Sequence, residues 1–359
     1  MKPLTIGIAG IAKNTGKTTT ARALLEYFQN REISLGVTSI GYDGERTDNI
    51  TGLPKPRVFL KKGNLVAVSE KCLSVSTARV KVMNRMDIPT PLGSIVSGRV
   101  VEEGLLVLAG PNQSRYLRTI RDWMYRHGAE IVLVDGALNR VAPMVETDGF
   151  ILCTGASYDT DMDRLALETR GIEVLCNLPG TVEIPPAVAA GGKSVLWDQN
   201  GRILAELPAF LWEPGPLAIL NGLPARAGGF YLPGVISSGC LEAIRRMTIP
   251  AGFKFVFENP VKLLLGGSVV TARLFVEDVL ERGGKVFYRR SLPLIAVTVN
   301  PFYPGYKNET CRYLPAFVDG EVLLSKIRES VDVPVFNVVK QGPEELGGLL
   351  LVLGRQAAC

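Results

Sequence analysis

The chain has 359 residues, 47% hydrophobic and 21% charged, with 40 Lys and Arg against 35 Asp and Glu for a formal charge of +5. That length carries two ordinary domains or one large one, and the composition excludes a small stapled scaffold, a disordered tail and a membrane bundle. The slight basic excess contains no polybasic block, so it favours anionic ligands only weakly and gives no ground for a nucleic-acid partner.

In chain order, Leu4 to Gly10 is a short apolar run ending in glycine, and Ala21, Leu24, Leu25 and Phe28 follow at helical spacing after the loop through Thr18. The order is strand, loop, helix. Leu35 to Ile40 reads as a second strand. From about residue 55 to 110 the texture changes: Val58-Phe59-Leu60 and Leu65 to Val68 flank Lys61-Lys62-Gly63-Asn64, while Ile95 to Val101 and Leu105 to Leu108 flank Glu102-Glu103-Gly104. Two antiparallel hairpins, inserted as a block, are expected there.

The α/β rhythm resumes with Leu117, Ile120, Trp123 and Met124 on one helix face, closed at Gly128, and then the strand Ile131 to Val134 ahead of Asp135-Gly136. His127, just before that glycine, reads as a capping residue. A strand over 150–153, a helix over 159–170 and a strand over 172–176 come next. This alternation predicts an α/β fold with a mainly parallel sheet covered by helices. Prolines and glycines crowd residues 183–229. They suggest a boundary, with a nucleotide-binding domain over 1–183 and a second α/β domain over 184–359, in which 253–265, 272–282, 292–299, 322–330 and 333–339 are the candidate elements.

The six cysteines are widely spaced without a C-x-x-C pair, and there is one histidine, so a zinc site is not expected. Such sparse thiols suit a reducing compartment. Leu4 to Ala12 has the apolar character of an export signal, but Lys13 and Gly16-Lys17-Thr18 stand where a cleavage site belongs. The longest apolar stretches, 292–299 and 347–354, fall well short of the ~20 residues of a spanning helix. A cytoplasmic protein without membrane association is expected.

The segment Gly10-Ile11-Ala12-Lys13-Asn14-Thr15-Gly16-Lys17-Thr18 between strand and helix reads as a phosphate-binding loop. Backbone N–H groups at a helix N-terminus surround phosphate oxygens, and the helix dipole adds to the attraction. Lys13, Asn14, Thr15, Gly16, Lys17, Thr18 and Thr19 are the candidate nucleotide contacts. Lys17 would reach the β and γ phosphates, and the Thr18 hydroxyl would face magnesium. The loop departs from the standard pattern because Ile11 fills the position that normally holds the first glycine. Asp135 ends an apolar strand at the sheet edge where α/β ligands bind, and is the candidate acidic partner for magnesium. Asp43, in Gly41-Tyr42-Asp43-Gly44-Glu45-Arg46, reads either as a magnesium or water-orienting residue or as a solvated Asp-Gly turn. The chain lacks the Asn-Lys-x-Asp guanine reader, so ATP is the expected nucleotide. Thr154 to Ser157 is a candidate base-pocket segment, and Val299-Asn300-Pro301-Phe302 reads as a proline turn or a substrate or partner pocket.

At Ala12 to Thr18, Thr38 to Glu45 and Val134 to Ala137 the chain resembles the P-loop subunit of the lysine 5,6-aminomutase reactivase family of amino-acid-fermenting bacteria. The resemblance covers roughly the first 180 residues, and that family has the same glycine spacing in its loop. It implies an ATP- and magnesium-dependent NTPase that reactivates an adenosylcobalamin-dependent aminomutase together with a second ATPase subunit. More distantly, the layout is similar to the dethiobiotin synthetase-like P-loop class, which implies an ATP-dependent small-molecule ligase or kinase instead. Tyr125 stands two residues before His127 where the Asp-x-His-x-x-Gly cobalamin motif needs aspartate.

Overall fold

The computed structural model describes residues 2–41, 58–138, 142–180, 184–189, 191–307 and 312–356. The chain divides into two compact units, 1–166 with 294–359, and 167–293.

The first unit begins with β1 (Leu4–Gly10), α1 (Lys17–Gln29) and β2 (Leu35–Ser39). It continues with β3 (Val58–Leu60), β4 (Leu65–Ser69), α2 (Glu70–Ser74), β5 (Arg79–Arg85), β6 (Ile95–Glu102) and β7 (Gly104–Leu106). Next come α3 (Ser114–Arg126), β8 (Ile131–Ala137), β9 (Gly149–Gly155) and α4 (Met162–Cys176), within which the division falls. The second unit adds α5 (Pro186–Ala189), β10 (Ser194–Asp198), β11 (Ile203–Leu207), β12 (Ala227–Leu232), α6 (Ser238–Arg245), β13 (Lys254–Phe257), α7 (Val261–Leu264), α8 (Val269–Glu281) and β14 (Lys285–Tyr288). The chain then returns to the first unit as β15 (Leu294–Asn300), β16 (Phe302–Lys307), β17 (Arg312–Phe317), α9 (Gly320–Ser330), β18 (Val335–Phe336), α10 (Val338–Gln341) and α11 (Glu344–Gln356).

The first unit's nine-stranded sheet has the order β18-β15-β9-β1-β8-β2-β4-β6-β5. The strands from β18 to β4 pair in parallel, and β6 and β5 extend the sheet antiparallel. All seven residues of β1 are buried, as expected for a strand flanked by parallel neighbours and covered on both faces. Because side chains alternate, Ile6 and Ile8 join Leu24 and Phe28 of α1 and Leu346 and Leu350 of α11 in one core. Gly7 between them faces Met144 and Phe150, and on the same side Gly36 of β2 lies against Met124 of α3. Each fully buried Leu or Phe of α1 contributes about 1.5–3 kcal/mol, far more than the helix gains from capping, since its N-cap Gly16 offers no side chain.

Three sequence expectations are corrected. The two local hairpins do not form: β3 pairs with β7, and β4 pairs with β6 and lies parallel to β2. Turn residues marked where the strands end but not which strands meet. Those pairings draw β4, β6 and β5 into the main sheet, while β3 and β7 form a separate two-stranded sheet. The 172–176 strand is instead the last stretch of α4, where Leu165, Ile172 and Leu175 are buried at helical spacing. Gly171 inside that helix meets the Val269 side chain, a close approach that a larger residue would obstruct. Finally, the expected single boundary at 183/184 gives way to an inserted unit, because β15 and β18 complete the first sheet beside β9.

The second unit has a five-stranded sheet in the order β11-β10-β12-β13-β14, parallel from β12 to β14. Phe255, Phe257 and Phe275 form edge-to-face pairs in its core, and the buried Tyr288 hydroxyl donates to the Leu175 carbonyl at 2.7 Å. No described helix of the protein is long and apolar enough to cross a membrane.

Candidate functional site

β1 delivers the chain at its carboxyl end into the loop 10–16, and the Ile11 amide there donates to the Cys153 carbonyl of β9 at 3.0 Å. Thr15 is buried and its hydroxyl donates to the Ala12 carbonyl at 3.0 Å, which folds the loop back on itself. Asn14 and Gly16 both have left-handed backbones, at φ 63° and 89°. Gly16 fits for two reasons: that φ disfavours side chains, and a Cβ there would sit 3.1 Å from Asn300 Cβ. α1 then starts at Lys17, so the amides of Lys17, Thr18 and Thr19 lie in its first turn, where no intrahelical carbonyl is available.

Lys17 reaches across to Asp135. Its Nζ lies 3.2 Å from Oδ1 and donates to Oδ2 at 3.3 Å, with both side chains about a quarter exposed. Asp135 is placed by register: it lies opposite Ile8 of β1 and Ser39 of β2, and its carbonyl accepts from the Ile40 amide at 2.7 Å. Its Oδ1 is buried and, despite the nearby ammonium, makes no aligned hydrogen bond among the described residues. Such an oxygen is a ready acceptor for a further donor or a cation.

The remaining predicted residues are distributed around this pair. Lys13 is exposed and its carbonyl accepts from Ser157 Oγ at 2.9 Å, so the Thr154–Ser157 segment packs on the loop. Thr18 is half-buried and Thr19 exposed on the first turn of α1. Asp43 falls in residues 42–57, outside the described residues. His127 caps α3: its Nδ1 lies 2.8 Å from the Trp123 carbonyl and its ring stacks on Trp123 at 4.1 Å. Among the described residues no cluster of three or more His, Cys, Asp or Glu could hold a metal.

Asn300 is the site residue that the sequence reading undervalued. From the end of β15 its Nδ2 donates to the Asn14 carbonyl at 2.8 Å, its Oδ1 accepts from the Phe302 amide at 3.2 Å, and its carbonyl accepts from Ala156 at 3.0 Å. One side chain therefore ties the loop, the end of β15 and the start of β16 together. The signal was an asparagine ending an apolar run, readable only once β15 is known to lie beside β9.

Under α1, Thr20 and Thr298 hydroxyls meet at 2.9 Å, and the buried Cys153 thiol donates to Thr20 Oγ1 at 3.6 Å. Burial pushes that thiol up to about 11, so it is a packing group rather than a nucleophile.

No family model, no curated protein and no solved structure matches this chain.

Proposed function

We propose that residues 10–19 and Asp135 form a P-loop nucleotide site that binds and hydrolyses magnesium ATP. The supporting observation is the pairing of Lys17, at the start of the first helix, with Asp135, at the end of the neighbouring strand. That arrangement places one flexible cation, a helix N-terminus and one carboxylate at the carboxyl edge of a parallel sheet. Lys17 would exchange its contact with Asp135 for the β and γ phosphates, and the first-turn amides would receive phosphate oxygens. Thr18 and Asp135 would hold magnesium, and the unbonded Asp135 Oδ1 fits that role. Magnesium needs only one or two protein ligands, so the lack of a larger described acidic cluster does not conflict with it. When bound, the metal supplies charge neutralisation on the phosphates. The chain's own contribution is positioning: Asn300 and Thr15 fix the loop before ligand arrives.

The output we propose is a protein partner's conformational change, specifically reactivation of an adenosylcobalamin-dependent aminomutase with a second ATPase subunit, as the loop and strand motifs suggest. Nucleotide drives such a change only if the two states bind it unequally, and a 100-fold difference supplies about 2.7 kcal/mol. Two measurements test the two levels. Calorimetric titration with magnesium ATP is expected to give saturable binding that Lys17→Ala abolishes, and equal affinity in both proteins overturns the nucleotide site. Recovery of an inactivated aminomutase, with ATP, fresh cofactor and the second subunit, is expected to require this chain and to fail with Lys17→Ala. Recovery without the chain overturns the reactivase assignment and favours a metabolite ligase or kinase.

A further inference from the structure

In the second unit α6 packs against α8, and a cavity of about 480 Å³ is lined by charged side chains from the carboxyl-terminal parts of both. Glu242, Arg245 and Arg246 come from the first helix and its cap, Asp278 and Arg282 from the second and its cap. Cations at a helix carboxyl end are favoured by the dipole, which accounts for the three arginines. It does not account for the two carboxylates among them, because the same dipole disfavours an acid there.

One carboxylate is already engaged. Asp278 Oδ2 accepts from Arg245 Nε at 2.5 Å, and both side chains are half-buried, so this pair forms a neutral part of the wall. Arg282 uses one donor, Nη1, on the Met247 carbonyl at 3.2 Å, and keeps the rest of its fork. Glu242 and Arg246 use none: although a single helical turn apart, neither side chain makes a hydrogen bond or ion pair among the described residues. The cavity therefore offers two guanidiniums and one carboxylate with bonding capacity to spare.

A ligand that matches brings the opposite set, two anionic groups and one cationic group. A plain dianion would be repelled by Glu242, and a plain cation by both arginines. Placement narrows the choice further. Residues at i and i+4 of a helix stand about 5–6 Å apart at Cβ, so Glu242 and Arg246 can grip an ammonium and a carboxylate carried on one carbon. Arg282, from the facing helix, is left for a second carboxylate, and the guanidinium fork matches a carboxylate's two oxygens. We propose that this cavity binds a small dicarboxylic amino acid, with Arg246 and Arg282 each holding a carboxylate and Glu242 the ammonium. The site lies within the second unit and does not depend on the nucleotide site proposed above.

L-Glutamate is the probe. Titrated calorimetrically into the full-length chain it is expected to bind saturably, with affinity reduced about tenfold by Arg246→Gln and by Glu242→Gln. Both residues are exposed, so both variants are expected to keep the parent circular dichroism and thermal midpoint. Two analogues assign the contacts. L-Glutamine, which keeps the shape and loses one carboxylate, is expected to bind about tenfold more weakly. Glutarate, which lacks the ammonium, is expected to be weaker by a similar factor in the parent, and Glu242→Gln is expected to strengthen its binding by removing a repulsion that glutamate does not feel. A purely structural role for Glu242 would weaken both ligands alike. Absence of saturable glutamate binding, or binding indifferent to both substitutions, overturns the proposal. Glutamine or glutarate binding as tightly as glutamate overturns the dicarboxylic amino acid as its ligand.

Discussion

Lys17 and Asp135 are separated by 118 residues in sequence and meet because β1 and β8 are adjacent and in parallel register. Their ion pair is partly exposed, and such pairs are worth at most about 1 kcal/mol. The pair is therefore poorly explained as a stability device and better explained by ligand chemistry. Asp135→Asn keeps the shape and removes the charge. It is expected to leave thermal stability within about 1 kcal/mol of the parent, to change metal-free ATP affinity little, and to lower magnesium-dependent turnover at least tenfold across a magnesium titration. Turnover that follows magnesium as in the parent would remove Asp135 from the proposed site. The loop and this aspartate were both legible in the sequence, because each is a local pattern: a glycine and lysine run between strand and helix, and an acid at the end of an apolar run. Asn300 was not, since its meaning comes from β15 lying beside β9, a pairing that no local pattern announces.

At the scale of elements, helices and most strands follow from period and caps, and partners do not. α9 shows how much a local signal fixes. Asp319 precedes an apolar stripe of Leu323, Leu324 and Ile327, and its carboxylate accepts from the Glu321 and Val322 amides at 2.9 and 3.1 Å. An acid at that position satisfies two end amides and opposes the helix dipole favourably. Asp319→Ala is expected to cost about 1 kcal/mol, read as a lower denaturant midpoint, while Asp319→Asn retains most of it. Because α9 packs on β15 and β18, the loss is expected in the transition of the first unit. An Ala variant with the parent midpoint would show that packing alone sets the helix start. By contrast, β3 and β4 are adjacent in sequence, and their turn Lys61 to Asn64 looks like a hairpin. Yet β4 is drawn against β2 by the wholly buried run Leu65 to Val68, which needs neighbours on both edges. Burial chose the partner where turn chemistry suggested another.

For the whole molecule, the return of residues 294–359 to the first sheet is what sequence reading missed, since the proline- and glycine-rich stretch lies within an inserted unit rather than between successive domains. Both units hold buried titratable groups, and these set a common alkaline limit. Burial pushes the thiols of Cys72 and Cys153 from an ordinary 9.0 up to about 11, and raises Cys176 further. It likewise pushes Tyr125 and Tyr231 from 10.0 up to about 12 and Tyr288 well above 10.0. Well below pH 9 these groups are protonated in folded and unfolded chains alike, and they add no pH dependence. Above it the unfolded chain releases protons that the folded chain retains, so stability falls with rising pH, through about pH 11 for the first two thiols and about pH 12 for the first two tyrosines. Thermal midpoints measured in reductant from pH 8 to 11 are expected to decline steadily. Cys153→Ala is expected to lower the midpoint at pH 8, through the small cavity it leaves, and to shallow the decline above pH 9 by removing one of the retained protons. A parent midpoint that stays flat to pH 11 would mean that the thiols ionise without unfolding, and that water reaches the layer beneath α1 where Cys153 meets Thr20.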